Sequence, residues 1–262
     1  MNPFASRAQS RQSSLRSSNV HPHRHWLYVW VPLFGAIVWF GMLWAMLIVW
    51  LALGKPQYVT QEGSIAYISD IGASSLKPLF IAGCSITAAC FFFSLILERF
   101  FRHTGRLVAY VRRRERILSI FAIIGSFIGG LGLILLSIFD TGRFTSAHRA
   151  FLLVFIVGVA LSAIFTILEF YFLSRDFAEL RELRFAYIMK AVIALTLICL
   201  AIAFGITLYR DKDAGAVLEW LIAFGFTFYL LTFFYDLRLS KGIPDGELTS
   251  EKLRGGQHSS LP

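Results

Sequence analysis

Four polar side chains stand apart in a largely apolar chain: Asp70, Asp140, His148 and Glu219. Each lies beside the end of a long hydrophobic run, and the order of the runs predicts that all four meet at one face of a membrane. Asp70 belongs to Tyr67–Ile68–Ser69–Asp70–Ile71–Gly72–Ala73, with Lys77–Pro78 opening the next run. Asp140 begins a short hairpin whose far side carries Ser146–Ala147–His148–Arg149–Ala150, and Glu219 falls in the first turn of the last run. Carboxylates and an imidazole at a membrane edge are functional candidates. Three chemistries are open to them. They could hold a divalent metal and its water, recognise a lipid headgroup, or latch helix ends together with Asp140 accepting from Arg143, Arg149 or His148. The cluster contains no His-x-x-x-His pair, and no Ser/His/Asp nucleophile set, phosphate loop or nucleotide motif is legible in the chain. The expectation is therefore a polar cluster with no catalytic residue, metal or cofactor.

A second constellation is basic. Arg99, Arg102, Arg106, Arg112, Arg113, Arg114 and Arg116 crowd one inter-run loop. Guanidinium groups beside a bilayer are drawn to anionic lipid at roughly 1 kcal/mol each. These seven are expected to bind anionic phospholipid or phosphoinositide; the plainer alternative is that they only orient the chain. Glu98 and Glu169 are expected to pair at the interface with the adjacent Arg99 and Arg175. No helix is expected to carry a charge at its midpoint, which argues against transport, as does the absence of paired broken helices.

Six apolar segments must position these groups: Trp26–Leu53, Pro78–Leu97, Ile117–Phe139, Ala147–Leu173, Phe185–Leu208 and Ala216–Tyr235. Each has the roughly 20 residues that span a hydrocarbon core, and lipid leaves no backbone option for such runs but the helix. The 262 residues are 56% hydrophobic and include 26 Phe, more apolar surface than a soluble domain can hide. The fold class is an all-α polytopic bundle of six transmembrane helices. Most of the 25 Lys and Arg precede the first segment, follow the last, or fall in the second and fourth connections, where Lys190 is counted with Arg175, Arg181 and Arg184. The positive-inside rule then puts both termini in the cytosol. Residues 26–239 form the membrane domain, flanked by disordered tails at 1–25, Ser- and Arg-rich, and at 240–262. The three His of His21–His25 read as part of a solvated tail. Cys84, Cys90 and Cys199 read as small packing residues. Gly125 with Gly129, and Gly158 with Ser162, are small-xxx-small pairs suited to close helix contact inside the bundle.

With Ile68–Ser69–Asp70–Ile71–Gly72 and Pro78, Asp140 with Ser146–Ala147–His148–Arg149–Ala150, and Glu219 at the last helix, the chain resembles the FRAG/DRAM/SFK family, also described as the CWH-like N-terminal domain. The likeness runs from about Trp26 to Leu239. Its basic second connection and polar tails are most similar to the fungal SFK-type branch. The resemblance implies a non-enzymatic membrane regulator of lipid organisation, supporting phosphatidylinositol 4-kinase signalling and plasma-membrane lipid asymmetry. It implies membrane lipids and a lipid-kinase complex as partners, with no nucleic acid, and residence in the plasma membrane, or else in Golgi, ER or vacuole. Another branch implies the alternative, GPI-anchor lipid remodelling through the exoplasmic cluster.

Overall fold

A computed structural model describes residues 26–110, 112–176, 181–240 and 248. They form seven helices: α1 (Trp26–Ala52), α2 (Ile68–Gly72), α3 (Lys77–His103), α4 (Arg113–Ile138), α5 (Thr145–Asp176), α6 (Arg181–Arg210) and α7 (Lys212–Arg238). All but α2 are long and apolar enough to cross a membrane. The chain is thus an all-helical integral membrane protein, with no strand among the described residues. The tails read at 1–25 and 240–262, including His21–His25, lie outside the described residues apart from Ser240 and Leu248.

The helices outrun the apolar segments at their charged ends. α3 continues from Leu97 to His103 and α4 starts at Arg113 rather than Ile117. The backbone keeps bonding to itself through the interface, and Arg102 and His103 suit the negative end of the α3 dipole. The segment Ile68–Gly72 is a full helical turn. The Tyr67 amide donates to Asp70 Oδ2 at 3.1 Å and closes its start.

The long helices stand in a ring in chain order, closed by α7 against α1, with α3 touching α7 across the middle. Trp39 fixes that closure by donating Nε1–H to the Ala223 carbonyl of α7 at 2.7 Å. Phe91, Phe226, Tyr229 and Phe233 fill the centre, with ring centroids 5.3 to 6.2 Å apart. Cys84 and Cys90 are buried in the bundle, while Cys199 faces outward.

The tightest seam is α4 against α5, where the two small-residue pairs face each other. A Cβ on Gly158 would lie 2.5 Å from the Gly129 amide nitrogen, and one on Gly125 would lie 2.9 Å from that of Ser162. Ser162 Oγ spans the seam to the Ala122 carbonyl at 2.8 Å. By contrast α6 is the most lipid-exposed helix, and among its described side chains only Ala186, Lys190, Ala194 and Phe204 are buried.

Gly129→Val places a branched side chain against backbone, so it should destabilise the α4–α5 seam by roughly 1–3 kcal/mol. Thermal unfolding in detergent should show the drop, and the exposed Gly41→Val, with no atom near its Cβ, should show none.

Candidate functional site

The two ends of the ring carry different chemistry. At one end, residues 53–67 leave α1 through the positive-φ pair Gly54 and Lys55 and return as a cap over the helix ends. α7 holds this cap down. Asp213 accepts from the amides of Ser64 and Ile65 at 2.6 and 3.0 Å, and Trp220 Nε1 donates to the Ala66 carbonyl at 3.0 Å. Tyr67 donates its hydroxyl to the Lys212 carbonyl at 2.9 Å. Burial and the nearby carboxylates of Glu219 and Asp70 push that phenol up to about 12. Glu219 Oε2 accepts from the Ile68 amide at 2.6 Å, tying α2 to α7. Because α7 begins at Lys212, Glu219 sits about two turns inside the helix rather than in its first turn.

Beneath the cap is a polar chamber of about 360 Å³. Asp70, His148 and Glu219 all line it; Asp140 does not. Burial raises the Asp70 carboxyl above its ordinary range, even though Thr60 Oγ1 donates to it at 2.5 Å and the Tyr67 amide at 3.1 Å. His148 is 4% exposed. Its Nδ1 lies 2.9 and 3.0 Å from the carbonyls of Leu136 and Phe139, at the free end of α4. Two carbonyl neighbours require Nδ1 to carry the proton, so in the neutral ring Nε2 is the acceptor. No described residue donates to it. Asp140 pairs instead with Lys77 Nζ at 2.5 Å and accepts from the Arg143 amide at 2.7 Å. The expected latch is therefore present, with Lys77 rather than Arg149 or His148 as its cation. Burial pushes the Asp140 carboxyl up, but the bonds from Lys77 and Arg143 outweigh it and hold it below the usual range. At the chamber rim Glu62 takes up both local cations, Lys212 at 2.5 Å and Arg149 at 3.6 Å.

At the opposite end the seven arginines divide. Arg112, Arg113, Arg114 and Arg116 are exposed and Arg99 is half-buried, while Arg102 and Arg106 are buried. Arg102 binds Glu98 at 2.8 Å and lies 3.4 Å from Glu169, with its guanidinium 4.6 Å from the centre of the Phe170 ring. Lys190, fully buried, forms an ion pair with Asp236 and lies 4.0 Å from Glu98. These findings correct two expectations. Glu98 and Glu169 pair inside the bundle with Arg102 rather than with Arg99 and Arg175, and Lys190 is a core residue of α6, not a loop cation. Transmembrane helices here do carry buried charge, close to the arginine end. The i, i+4 spacing of Glu98 and Arg102 was a usable signal, as was a lysine inside Tyr187–Ile188–Met189–Lys190–Ala191.

Residues 27–240 match the family described as Frag1/DRAM/Sfk1/Cwh43P N-terminal domain. The chain is similar to Protein SFK1 of Saccharomyces cerevisiae, at 32% identity over 188 residues, covering 61% of this chain and 53% of that protein. It is also similar to Protein sfk1 of Schizosaccharomyces pombe, at 30% identity over 216 residues, covering 82% and 65%. The chain thus spans between about half and two-thirds of the length of these relatives. No solved structure matches it.

The buried ion pair and the latch make separate predictions. Removing one partner of a buried pair strands the other, so Lys190→Met should cost roughly 3–5 kcal/mol, and Lys190→Met with Asp236→Leu should recover much of it. Unfolding of the two purified variants checks this; a double variant no more stable than the single one would refute the coupling. Because the Asp140 carboxyl is lowered in the folded state, its contribution is fully present above the ordinary value of about 3.9 and is lost as pH falls through the folded value. The unfolding temperatures of wild type and Asp140→Asn should therefore differ at neutral pH and converge in acid.

Proposed function

The chain belongs to the Frag1/DRAM/Sfk1/Cwh43P N-terminal domain family, and from that premise we propose that it is a non-enzymatic regulator of membrane lipid organisation. Its arginine end lies at the cytosolic face and gathers anionic lipid, phosphoinositide above all. In this way it supports phosphatidylinositol 4-kinase signalling and lipid asymmetry at the plasma membrane.

The observation that carries this reading is the placement of the exposed arginines on α4. Arg112 is the residue before the helix, and Arg113, Arg114 and Arg116 lie in its first turn. A helix start repels cations and attracts anions, at roughly 0.3–1 kcal/mol per charge. Three arginines there oppose the helix dipole unless an anion joins them, and the buried Glu115 offers one compensating charge. A lipid phosphate would meet both the guanidiniums and the positive end of the α4 dipole. Arg102 is committed to Glu98 and Glu169, so it plays no part in this surface.

A second reading, remodelling of GPI-anchor lipid, is favoured by one observation: Asp70, His148 and Glu219 share a chamber at the other end.

In cells lacking the gene, a fluorescent sensor for phosphatidylinositol 4-phosphate should report a fall at the plasma membrane. Wild type should restore it, while Arg112/Arg113/Arg114→Ala, at equal protein level, should not. Equal rescue by both forms would refute the arginine surface. An unchanged signal with altered GPI-anchor lipid would favour the second reading.

A further inference from the structure

We propose that the capped end of the ring holds one membrane lipid with a primary ammonium headgroup, an aminophospholipid, its head among Asp70, His148 and Glu219 and one acyl chain in an apolar slot below. The slot, of about 110 Å³, meets the polar chamber at Leu152, Phe204 and Glu219, which line both. On α7 its walls run from Glu219 to Tyr229, and on α6 from Ala194 to Phe204. Ten residues of helix are about 15 Å, so the space is long and narrow. That is the shape of a single hydrocarbon chain rather than of a compact ligand. Ala160 and Ala201 lie among its walls on α5 and α6, the sparsest seam of the ring. A chain could enter or leave there without crossing the core.

The headgroup follows from charge. Glu62 already binds Lys212 and Arg149. Asp70 and Glu219 accept only from neutral donors: the Thr60 hydroxyl, the amides of Tyr67 and Ile68, and the amide and hydroxyl of Ser69. Among the described residues neither has an ion-pair partner. His148, nearly buried, lines the same chamber, and its Nε2 has no donor among the described residues. Two carboxylates and one imidazole nitrogen match in number the three N–H donors of an ammonium group. A choline headgroup has the charge but no N–H, and glycerol has no charge. Arg149 and Lys212, also lining the chamber, suit the phosphate that a short linker would place beside the ammonium. This lipid lies at the end opposite the exposed arginines, so its test and that of the cytosolic surface succeed or fail separately.

The test uses the full chain reconstituted in phosphatidylcholine nanodiscs with a trace of one photoactivatable lipid. Three probes share the same diazirine-bearing acyl chain and differ only in headgroup: ethanolamine, choline or glycerol. The ethanolamine probe should label peptides of α5, α6 and α7 roughly tenfold more than the choline probe, the scale of one charged hydrogen bond. Glu219→Gln keeps an acceptor for the Ile68 amide but loses the charge, and it should bring ethanolamine labelling down to the choline level. Ala201→Phe should block labelling inside the slot for every probe. Equal labelling of wild type by ethanolamine and choline probes overturns the headgroup, as does equal labelling by the glycerol probe, which would mean that phosphate alone is read. An excess of ethanolamine over choline labelling of those peptides that survives Ala201→Phe overturns the slot. The wild-type comparison stands even if a variant proves unstable, which its unfolding temperature would reveal.

Discussion

A charge removed from water must meet its opposite, and in this bundle that requirement falls on α6. Lys190 has no solvent contact, so α6 can sit only where Asp236 of α7 reaches it, within 4.0 Å of Glu98 on α3. Arg102 then balances Glu98 and brings in Glu169 of α5. Four helices are fixed to one another at one end by five side chains. The rings of Phe170 and Phe233 lie 4.5 and 4.0 Å from the Lys190 ammonium, giving it further electrostatic partners where water is excluded. Buried pairs of this kind add little net stability over an apolar core, but breaking them is costly, so they select an arrangement more than they strengthen it.

That anchoring has a consequence at mid-membrane. Beyond Lys190, α6 offers only Ala194 and Phe204 as fully buried contacts. Pinned at the arginine end and packed along α7, it meets α5 only sparsely and lines the slot with Ala194 and Ala201 beside Leu197 and Ile198. The slot opens where that closure fails, between alanines of α5 and α6. The α4–α5 seam behaves in the opposite way. Glycines there let the backbones touch, and no space is left.

Much of this was legible in the sequence. Apolar length alone located all six spanning helices, since lipid permits no other backbone state. The glycine pairs at 125, 129 and 158 identified the close seam. The order of the runs put Asp70, Asp140, His148 and Glu219 at one face; three of them line one chamber, while Asp140 pairs with Lys77. What escaped were partners set by three-dimensional packing. A lysine inside a long apolar run is diluted in any hydropathy average, and its partner Asp236 lies 46 residues away. Lys77, 63 residues from Asp140, was hidden for the same reason behind nearer basic residues. A one-turn helix such as α2 is too short for any periodicity to reveal.

The two ends then follow opposite rules. At the arginine end the acids are inside and matched, and the surplus is positive and outward. At the capped end Lys77, Arg149 and Lys212 pair with Asp140 and Glu62, and the inward carboxyls of Asp70 and Glu219 have no ion-pair partner among the described residues. A bilayer supplies molecules that answer both ends, since phospholipids carry phosphate outside the hydrocarbon and many carry an amine beside it. A buried carboxylate without an ion-pair partner is costly to keep. The fold bears that cost while spending five hydrogen bonds from the cap residues Ser64, Ile65, Tyr67 and Ile68 to α7 to cover it. A structure that only needed to close its helix ends could have done so with apolar side chains. Carboxyls kept without an ion-pair partner beneath a fastened lid, above an apolar slot, fit the recognition of an amphiphile better than they fit packing.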